Sequence, residues 1–375
     1  MAIKYLDAKR IRGSSTADPV TVYDQPTSTT NTALDVSSYT GDPSGLFVTA
    51  DGTKIFMNST SGTNNDSVVR FTLSTAWDLS TATQDQTYSV AVQSASPRAL
   101  YFNDDGTKMF IVSRYAGSSG ADNTLYQYTL SVGYDLTSTI AQTESFSLAA
   151  TVGNSAGLKF NSDGTKFYVS HYGLWKVWQF SCTSGTPFDI ASASFDTGKT
   201  FVPTDNSTEG FDFTFINNGL KIFMAEYDQA GAATGGASDG FVMTTAYDIS
   251  TAAATGTTFN TNAVSNNPIG VMVSGAYLFQ LDGNGQSIKR FALASSTTTT
   301  DEKATLLDWL QNYLSQTGNA TSQLDESANK YGIEIESTNP LIGKTLESFT
   351  MALRKRNSPT GNIYAKKYNS SGTLQ

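Results

Sequence analysis

The chain has 375 residues, with 24 Lys and Arg against 33 Asp and Glu, and its formal net charge is −9. This length favours one large domain with a smaller module attached. Binding to double-stranded nucleic acid depends on clustered cations, so an acidic chain without a long basic run argues against that partner. Charged residues make up only 15% of the chain, a polar and weakly charged composition that favours an extracellular β-protein.

Cysteine content and hydropathy limit the chemistry and the location further. The only cysteine, Cys182, excludes a disulfide framework within the chain, and its strand-like surroundings predict a buried structural residue. No apolar run reaches the length of about 18 residues that a membrane-spanning helix needs, so no membrane partner is expected. Residues 1–15 lack the apolar centre of a secretory signal peptide. A protein acting outside a cell would then leave by another route, such as release within an assembled virus particle.

A repeated strand–turn–strand pattern fills most of the chain after an extended arm predicted for residues 1–32. Each copy begins with a small residue, continues through alternating apolar positions and a tight turn, and ends in an aromatic-centred strand. Successive copies start 54, 58, 53 and 60 residues apart. The copies read GLFVTADGTKIFM from Gly45, ALYFNDDGTKMFI from Ala99, GLKFNSDGTKFYV from Gly157, GFDFTFINNGLKIFM from Gly210 and GVMVSGAYLFQL from Gly270.

A second motif, an aromatic-Asp-aliphatic step, follows each of the first four copies. It stands at Trp77-Asp78-Leu79, Tyr134-Asp135-Leu136, Phe188-Asp189-Ile190 and Tyr247-Asp248-Ile249. The Asp-Gly steps of the first motif supply the positive-φ positions of tight hairpins. Catalytic groups are seldom copied in every repeat, so we interpret the repeated aspartates as turn-capping residues. The central aromatic residues are expected to face neighbouring sheets: Phe56, Phe110, Tyr168 and Phe223.

The ends of the repeat region predict how the ring closes. The fifth copy lacks the aromatic-Asp step and an outer strand after IKRFALASS, whereas a strand-like run from Ala33 has no unit before it. The N-terminal strand is therefore expected to complete the fifth sheet, because a closed ring leaves no unpaired inner edge. The predicted fold is all-β, a five-bladed β-propeller over residues 33–298, with a sixth blade as the alternative.

The pattern changes beyond the repeats. Helical spacing and a capping box at Thr299 and Glu302 predict a helix and linker over residues 299–330, packed under the propeller or used for oligomerisation. Residues 331–375 are predicted to form a short β-rich segment. Phe349, Met351 and Leu353 alternate with Thr350, Ala352 and Arg354, which gives a strand with one apolar face. About three strands make a marginal sheet. Either a partner chain covers this sheet, or it is part of a larger sandwich.

The repeats resemble those of proteins from marine viruses and from phages of planktonic microbes. The resemblance rests on DGTKMFI, LYQYTLSVGYDLTST and IKRFALASS and covers residues 33–298. The segment IGKTLESFTMALRKRNSPTGNIYAKKYNSSGT is similar to the opening of jelly-roll-like modules in the same group, and IKYLDAKRIRGSS is similar to N-termini there. The resemblance implies a virion or surface component involved in attachment, with residues 331–375 as a partial jelly-roll-like segment.

The candidate binding site lies on the propeller face that the variable loops are expected to form. Loops between second and third strands and the connections between blades are expected to open on this face. They differ in length and content, and variable loops on a rigid scaffold commonly carry binding residues. Their aromatic, amide and carboxylate groups suit stacking on sugar rings and hydrogen bonding to hydroxyls, with simple loop packing as the alternative. The candidate ligand-binding residues are Arg114, Tyr115, His171, Tyr172, Trp175, Glu226, Tyr227 and Asp228.

Catalysis is not predicted. His171 is the only histidine, which excludes mechanisms and zinc sites that need two, and its place at a strand end favours a binding-face role. The turn that begins at Asp282 offers oxygen ligands for calcium but lacks the spacing of an EF-hand, which favours a plain hairpin. No Gly-rich phosphate loop occurs. The sequence therefore predicts no metal and no cofactor.

The variable loops predict a non-enzymatic protein that binds a host glycan or surface protein, and the resemblance implies that it is an attachment protein of a virion or extracellular surface. Other virion subunits are expected partners, and a homo-oligomer is a further option. Two alternatives stay open. One is a propeller enzyme acting on a polysaccharide or a lactone, and the other is a passive structural decoration protein.

Overall fold

The computed structural model describes residues 12–13, 20–26, 32–114, 123–172, 174, 176–203, 209–227, 237–260, 265, 267–298 and 349–350. Two compact units divide the chain: residues 22–296 form one, and residues 1–21 with 297–375 form the other. In the second unit, β1 (Arg12–Gly13) pairs antiparallel with β23 (Phe349–Thr350). The helix predicted for residues 299–330 and nearly all of the predicted β-rich segment lie outside the described residues.

Five antiparallel sheets make up the larger unit. The N-terminal strands are β2 (Val20–Pro26) and β3 (Thr32–Asp35). Blade 1 contains β4 (Pro43–Val48), β5 (Lys54–Ser59), β6 (Ser67–Leu73) and β7 (Ala82–Ser89). Blade 2 contains β8 (Pro97–Phe102), β9 (Lys108–Ser113), β10 (Thr124–Leu130) and β11 (Ile140–Ser147). Blade 3 contains β12 (Ser155–Phe160), β13 (Lys166–His171), β14 (Val177–Cys182) and β15 (Ala193–Phe201).

Blades 4 and 5 complete a ring. Blade 4 contains β16 (Glu209–Ile216), β17 (Lys221–Tyr227), β18 (Ala237–Met243) and β19 (Ala252–Asn260). Blade 5 contains β20 (Pro268–Ser274), β21 (Tyr277–Asp282) and β22 (Ser287–Thr298). The first strand of every blade lies beside the first strands of both neighbouring blades, which closes the ring of a five-bladed β-propeller. The predicted fold class is confirmed for this unit.

The N-terminal strand closes the ring as predicted. Strand β3 pairs antiparallel with β22, with Leu34 opposite Ile288, and takes the place of the missing outer strand of blade 5. Strand β2 also pairs with β22. The sequence analysis did not predict β2, because no repeated unit surrounds it to reveal its pairing. Within the described part of the chain the only helical elements are 3-10 turns at Leu79–Thr81, Ile190–Ser192 and Ile249–Thr251, and no helix is long and apolar enough to span a membrane.

The hydrophobic core consists of five layers, one between each pair of neighbouring blades. Each layer takes residues from facing strands of two blades. For example, Phe56 of blade 1 packs against Phe102 of blade 2 at a ring-centre distance of 4.5 Å. The four central aromatic residues of the second strands are fully buried, as expected: Phe56, Phe110, Tyr168 and Phe223. The aromatic repeat thus stabilises the stacking of blades by burial of large apolar area.

The innermost strands crowd one another where the repeat has a small residue. A Cβ added at Gly45 would lie 3.0 Å from the carbonyl oxygen of Arg98 in the next blade. In blade 4, however, the equivalent position is Asp212, because Phe213 faces Met224 just as Leu46 faces Met57. The sequence alignment that began this copy at Gly210 was therefore wrong. Its glycine was taken for the small residue although the register, counted back from the turn, places a carboxylate there.

One contact joins the two repeated turns of each blade. The aromatic residues of the second motif have positive φ angles of 58° to 61°: Trp77, Tyr134, Phe188 and Tyr247. Each ring packs on the turn glycine of its own blade, where an added Cβ would lie 2.4–2.5 Å from the ring: Gly52, Gly106, Gly164 and Gly219. The backbone N–H of each aromatic residue also donates to the carbonyl oxygen of that glycine at 2.8–3.0 Å. The two motifs repeat together because they form this one contact.

The same aromatic residues link neighbouring blades. The carbonyl oxygen of Tyr134 accepts a hydrogen bond of 2.8 Å from Arg70 Nη1 in blade 1. The other three carbonyls likewise accept from the preceding blade: Phe188 from Lys108 Nζ at 3.2 Å, Tyr247 from Tyr168 Oη at 2.6 Å, and Trp77 from Arg290 Nη1. The four donors are of three residue types, and each lies on either the second or the third strand of its blade. No sequence period reveals them.

The repeated aspartates cap turns as predicted, except that the Asp189 side chain makes no capping hydrogen bond to its 3-10 turn. Asp105 Oδ1 accepts hydrogen bonds from the backbone N–H of Thr107 at 2.9 Å and from its hydroxyl at 2.5 Å. Asp51 and Asp163 accept equivalent backbone bonds at 3.0 and 2.9 Å. In the second motif, Asp78 Oδ1 accepts from the backbone N–H of Ser80 at 3.0 Å and caps a 3-10 turn. These carboxylates stabilise local backbone structure.

The turn aspartates predict that the propeller loses stability in acid. Hydrogen bonds from Thr107 and Thr137 lower the pKa of Asp105 and Asp135. A folded-state pKa below the unfolded value gives stability that is present above the unfolded value, near 3.8, and is lost as pH falls through the folded pKa. We expect the urea concentration at the unfolding midpoint to decrease as the pH is lowered below about 4.

Asp105→Asn provides the control for this prediction. Burial raises the pKa of Asp66 and Asp212, so these two groups give stability the opposite pH dependence. The informative quantity is therefore the difference in unfolding free energy between variant and wild type at each pH. The stability of Asp105→Asn is expected to depend less on pH in this range. An identical pH dependence for the two proteins would contradict the assignment.

Candidate functional site

A pocket of about 580 Å³ opens near the propeller axis, on the face that carries the variable loops. We call it the central pocket. Blades 1, 2, 3 and 5 contribute its described lining, mainly from residues at or just before the start of their innermost strands. Loop residues that follow second strands complete the lining, including Arg114 after β9 and Tyr172 after β13. The pocket therefore lies where the sequence analysis expected a binding face.

β-Bulges turn the innermost strands toward the pocket. In blade 2 the pairing skips from Pro97 to Ala99, which leaves Arg98 as the bulged residue. In blade 3 the pairing skips from Ser155 to Leu158, and in blade 5 it skips from Pro268 to Gly270. Arg98, Ala156 and Ile269, which lie within these irregularities, all line the pocket. A bulge bends its strand and redirects a side chain that a regular strand would point into a neighbouring sheet.

Two guanidinium groups and one carboxylate are the charged groups among the described lining residues. Arg98 Nη1 lies 3.7 Å from Asp42 Oδ2, which also accepts a hydrogen bond of 2.7 Å from the Thr60 hydroxyl. Arg114 stacks on Tyr172, with Cζ 4.3 Å from the ring centre. The described lining thus carries one net positive charge, although the whole chain carries −9. Stacking on a tyrosine covers the face of a guanidinium and directs its N–H groups outward at the edge.

Polar groups without protein partners complete the pocket. The Ser155 side chain is fully buried, and its hydroxyl oxygen makes no hydrogen bond, whereas its backbone N–H donates to Asn123 Oδ1 at 3.1 Å. Asn267 donates through Nδ2 to Asn284 Oδ1 at 3.1 Å, and its own Oδ1 has no partner. Unsatisfied buried polar atoms destabilise a protein, so their presence in a pocket favours a ligand that bonds to them.

His171 lies beside the pocket but is not part of its lining. It is the last residue of β13 and is half-buried, with its ring centre 6.1 Å from that of Trp178. Burial lowers the pKa of His171, and the nearby charge of Arg114 lowers it further, against a backbone hydrogen bond that raises it. The imidazole is therefore neutral near pH 7 and supports the pocket wall from behind.

The structure brings together only part of the predicted binding set. Arg114 and Tyr172 meet in the pocket, and His171 adjoins it. Tyr115, Trp175 and Asp228 lie outside the described residues, and only the backbone of Glu226 and Tyr227 is described, at the end of β17. The roles of these five residues stay predictions.

Sequence reasoning missed Arg98, Asp42, Ser155 and Asn267. They lie on interblade connections and at the first positions of inner strands, which the sequence analysis placed on this face without selecting residues there. A usable signal was the residue that precedes each small axial residue. In the second repeat it is Arg98, whereas Ser44 stands there in the first.

Two secondary interpretations are supported by local contacts. Asp282 Oδ1 accepts from the backbone N–H of Gly285, and Oδ2 accepts from Lys289 Nζ, both at 3.1 Å. The carboxylate thus stabilises a plain hairpin turn. Cys182 is buried, and burial raises the pKa of its thiol to about 11, as expected for a structural cysteine. Within the ranges that the structure describes, no cluster of His, Cys, Asp and Glu is arranged for a metal ion.

Comparisons with known proteins show a distant likeness to other propellers. No protein-family model matches the chain, and no curated protein matches its sequence. A "putative 6-phosphogluconolactonase" from Bacteroides fragilis has 15% identity and a TM-score of 0.41, covering 67% of this chain and 82% of that one. A second protein of that description, from Bacteroides uniformis, has 15% identity and a TM-score of 0.41 over 69% and 71% of the two chains. A periplasmic gluconolactonase from Pseudomonas aeruginosa has 13% identity and a TM-score of 0.37 over 68% and 70%.

Proposed function

We propose that this protein binds a saccharide of a surface glycan in the central pocket and acts by binding, without turnover. The observation that carries the proposal is the convergence of Arg114 on Tyr172, the unpartnered Ser155 hydroxyl and the unpartnered Asn267 oxygen in one pocket. A volume of about 580 Å³ is in the range of small-molecule sites. Hydroxyl, amide and guanidinium groups together match the hydrogen-bonding groups of a sugar.

The composition of the pocket favours binding over hydrolysis. Cleavage of a glycosidic bond commonly uses a pair of carboxyl groups on either side of that bond. Among the described lining residues Asp42 is the only carboxylate, and it lies in an ion pair with Arg98. His171, the only histidine, does not line the pocket.

The biological setting is a separate part of the proposal. We place the protein on a virion or another extracellular surface, attached to other virion subunits and engaged with a host glycan or surface protein. The resemblance of the repeats to those of marine virus and phage proteins supports this setting. The central pocket supports only the binding step.

We expect Arg114→Ala to weaken glycan binding at least tenfold, because a charge-assisted hydrogen bond contributes about 1.5–3 kcal/mol. The fluorescently labelled full chain would be applied to a glycan panel and to glycan-bearing cells, and affinities measured by calorimetry. Lys166→Ala, which removes a cation beside the repeated turns at the opposite end of β13, is the matched control. We expect its affinity to equal that of the wild type.

Two results would contradict the proposed function. The first is a folded, monodisperse protein that binds no glycan and no cell. The second is release of smaller products from a bound glycan, at a rate that depends on a pocket residue. That result would show that the protein is an enzyme and does not act by binding alone.

A further inference from the structure

We propose that the saccharide in the central pocket is anionic, and that Arg98 and Arg114 bind a singly charged carboxylate or sulfate group on it. This inference rests on the proposed function and specifies its ligand class. It depends on the charges of the pocket, the orientation of its guanidinium groups and its buried polar atoms.

The described lining of the pocket carries a charge opposite to that of the whole chain. Arg98 and Arg114 contribute two positive charges to the described lining, and Asp42 contributes one negative charge. Net positive charge along a concave site favours an anionic ligand, because low-dielectric walls concentrate the field. The acidic remainder of the chain, at −9 overall, disfavours non-specific capture of polyanions elsewhere on the surface.

Each of the two arginines is oriented by a neighbouring residue of the pocket lining. The Tyr172 ring fixes the plane of the Arg114 guanidinium at 4.3 Å, and Asp42 restrains Arg98 at 3.7 Å. A guanidinium held in one plane loses little conformational entropy when it binds a planar carboxylate or a sulfate through two parallel N–H bonds. This restraint distinguishes the pair from flexible surface cations.

Ser155 provides a further donor for the anion. Its side chain is fully buried, its hydroxyl has no partner, and it lines the pocket. A charged acceptor satisfies a hydroxyl more strongly than a neutral one. The Asn267 Oδ1 atom, also without a partner, can accept from a sugar hydroxyl and not from an anion. One pocket therefore offers donors for an acidic group and an acceptor for a hydroxyl, which favours an acidic sugar over a bare inorganic ion.

The test is a saccharide panel in matched pairs. Each uronate-containing oligosaccharide is paired with its methyl ester, and each sulfated oligosaccharide with its unsulfated form, so that the members of a pair differ in the anionic group. Binding of the full chain is measured by calorimetry at two salt concentrations. We expect the anionic member of a bound pair to bind at least tenfold more tightly than its neutral counterpart, with weaker binding at high salt. Preference within the uronate or the sulfate pairs identifies which anion is recognised.

Variants then locate the contact. Arg98→Gln and Arg114→Gln are each expected to weaken binding of the anionic member at least tenfold more than they weaken binding of the neutral member. Ser155→Ala is expected to weaken anion binding severalfold. Lys166→Gln, distant from the pocket, serves as the charge control. Unchanged melting temperatures for all four variants establish that the losses are not caused by unfolding.

The outcomes separate this inference from the proposed function. Equal affinity for both members of every bound pair would overturn the anionic ligand and leave saccharide binding intact. Binding of neutral saccharides alone would do the same. No binding to any member of the panel, by folded protein, would overturn both.

Discussion

Replacing Lys159 by methionine is expected to lower the free energy of unfolding by about 3–5 kcal/mol, the cost of leaving a buried charge without its partner. Lys159 Nζ lies 2.9 Å from both carboxylate oxygens of Asp212, and both side chains are 4% exposed. Asp212 Oδ2 also accepts a hydrogen bond of 2.9 Å from the backbone N–H of Val271. This ion pair therefore joins blades 3, 4 and 5 beside the axis.

A double variant separates the lost attraction from the burial of charge. Burial raises the pKa of Asp212 despite the charge of Lys159, so ionising this carboxyl group costs more in the folded protein than in the unfolded chain. Removing both charges with Lys159→Met and Asp212→Ala is expected to restore most of the stability that Lys159→Met alone loses. Urea unfolding at pH 7, followed by tryptophan fluorescence, measures the stabilities of the wild type, Lys159→Met and the double variant.

The pH dependence provides a second test of the same pair. A carboxyl group whose folded-state pKa is raised contributes stability below its unfolded pKa and loses it as pH rises through the folded pKa. The stability difference between Lys159→Met and the double variant should therefore narrow as pH falls. A double variant as unstable as Lys159→Met at every pH would show that packing of the lysine chain, and not its charge, holds this position.

Residues repeated at a fixed period made most of the fold predictable. The Asp-Gly turns, the aromatic-Asp steps and the missing outer strand of the fifth copy together predicted five blades and closure by β3. Contacts that depend on the register between strands were not predictable, because one strand does not reveal its partner. Asp212 is the clearest example: counting back from the turn gives its axial position, but neither strand reveals that it meets Lys159 of the neighbouring blade.

Some residues of the candidate site were likewise predictable from the sequence, and others were not. Arg114 and Tyr172 were predicted because they lie on second-to-third-strand loops that differ between blades. Arg98 and Ser155 were missed because they lie in or beside strand bulges, and a bulge is a property of two paired strands. Loop variation therefore indicated the face on which the central pocket opens, whereas the geometry of the inner strands determined which side chains line that pocket.

Gly106→Ala is expected to destabilise the propeller by about 2–5 kcal/mol, through two separate effects. Gly106 has a φ of +70°, where an alanine costs about 1–2 kcal/mol. The added Cβ would also lie 2.4 Å from Cδ2 of Tyr134, and overpacking of this kind costs about 1–3 kcal/mol. The ring cannot easily move aside, because Tyr134 Oη donates to the carbonyl oxygens of Asn103 and Asp104 at 3.0 and 2.8 Å.

Gly198→Ala isolates the backbone effect. Gly198 has a φ of +81°, but an added Cβ there has no neighbour within 4 Å, so this variant is expected to lose only the about 1–2 kcal/mol of the backbone term. The difference between the two variants, measured by urea unfolding under one set of conditions, gives the contribution of the contact between ring and glycine. Equal losses would mean that the turn glycines are required for backbone conformation alone. The joint repetition of the two motifs would then need a cause other than the packing of each aromatic ring on its glycine.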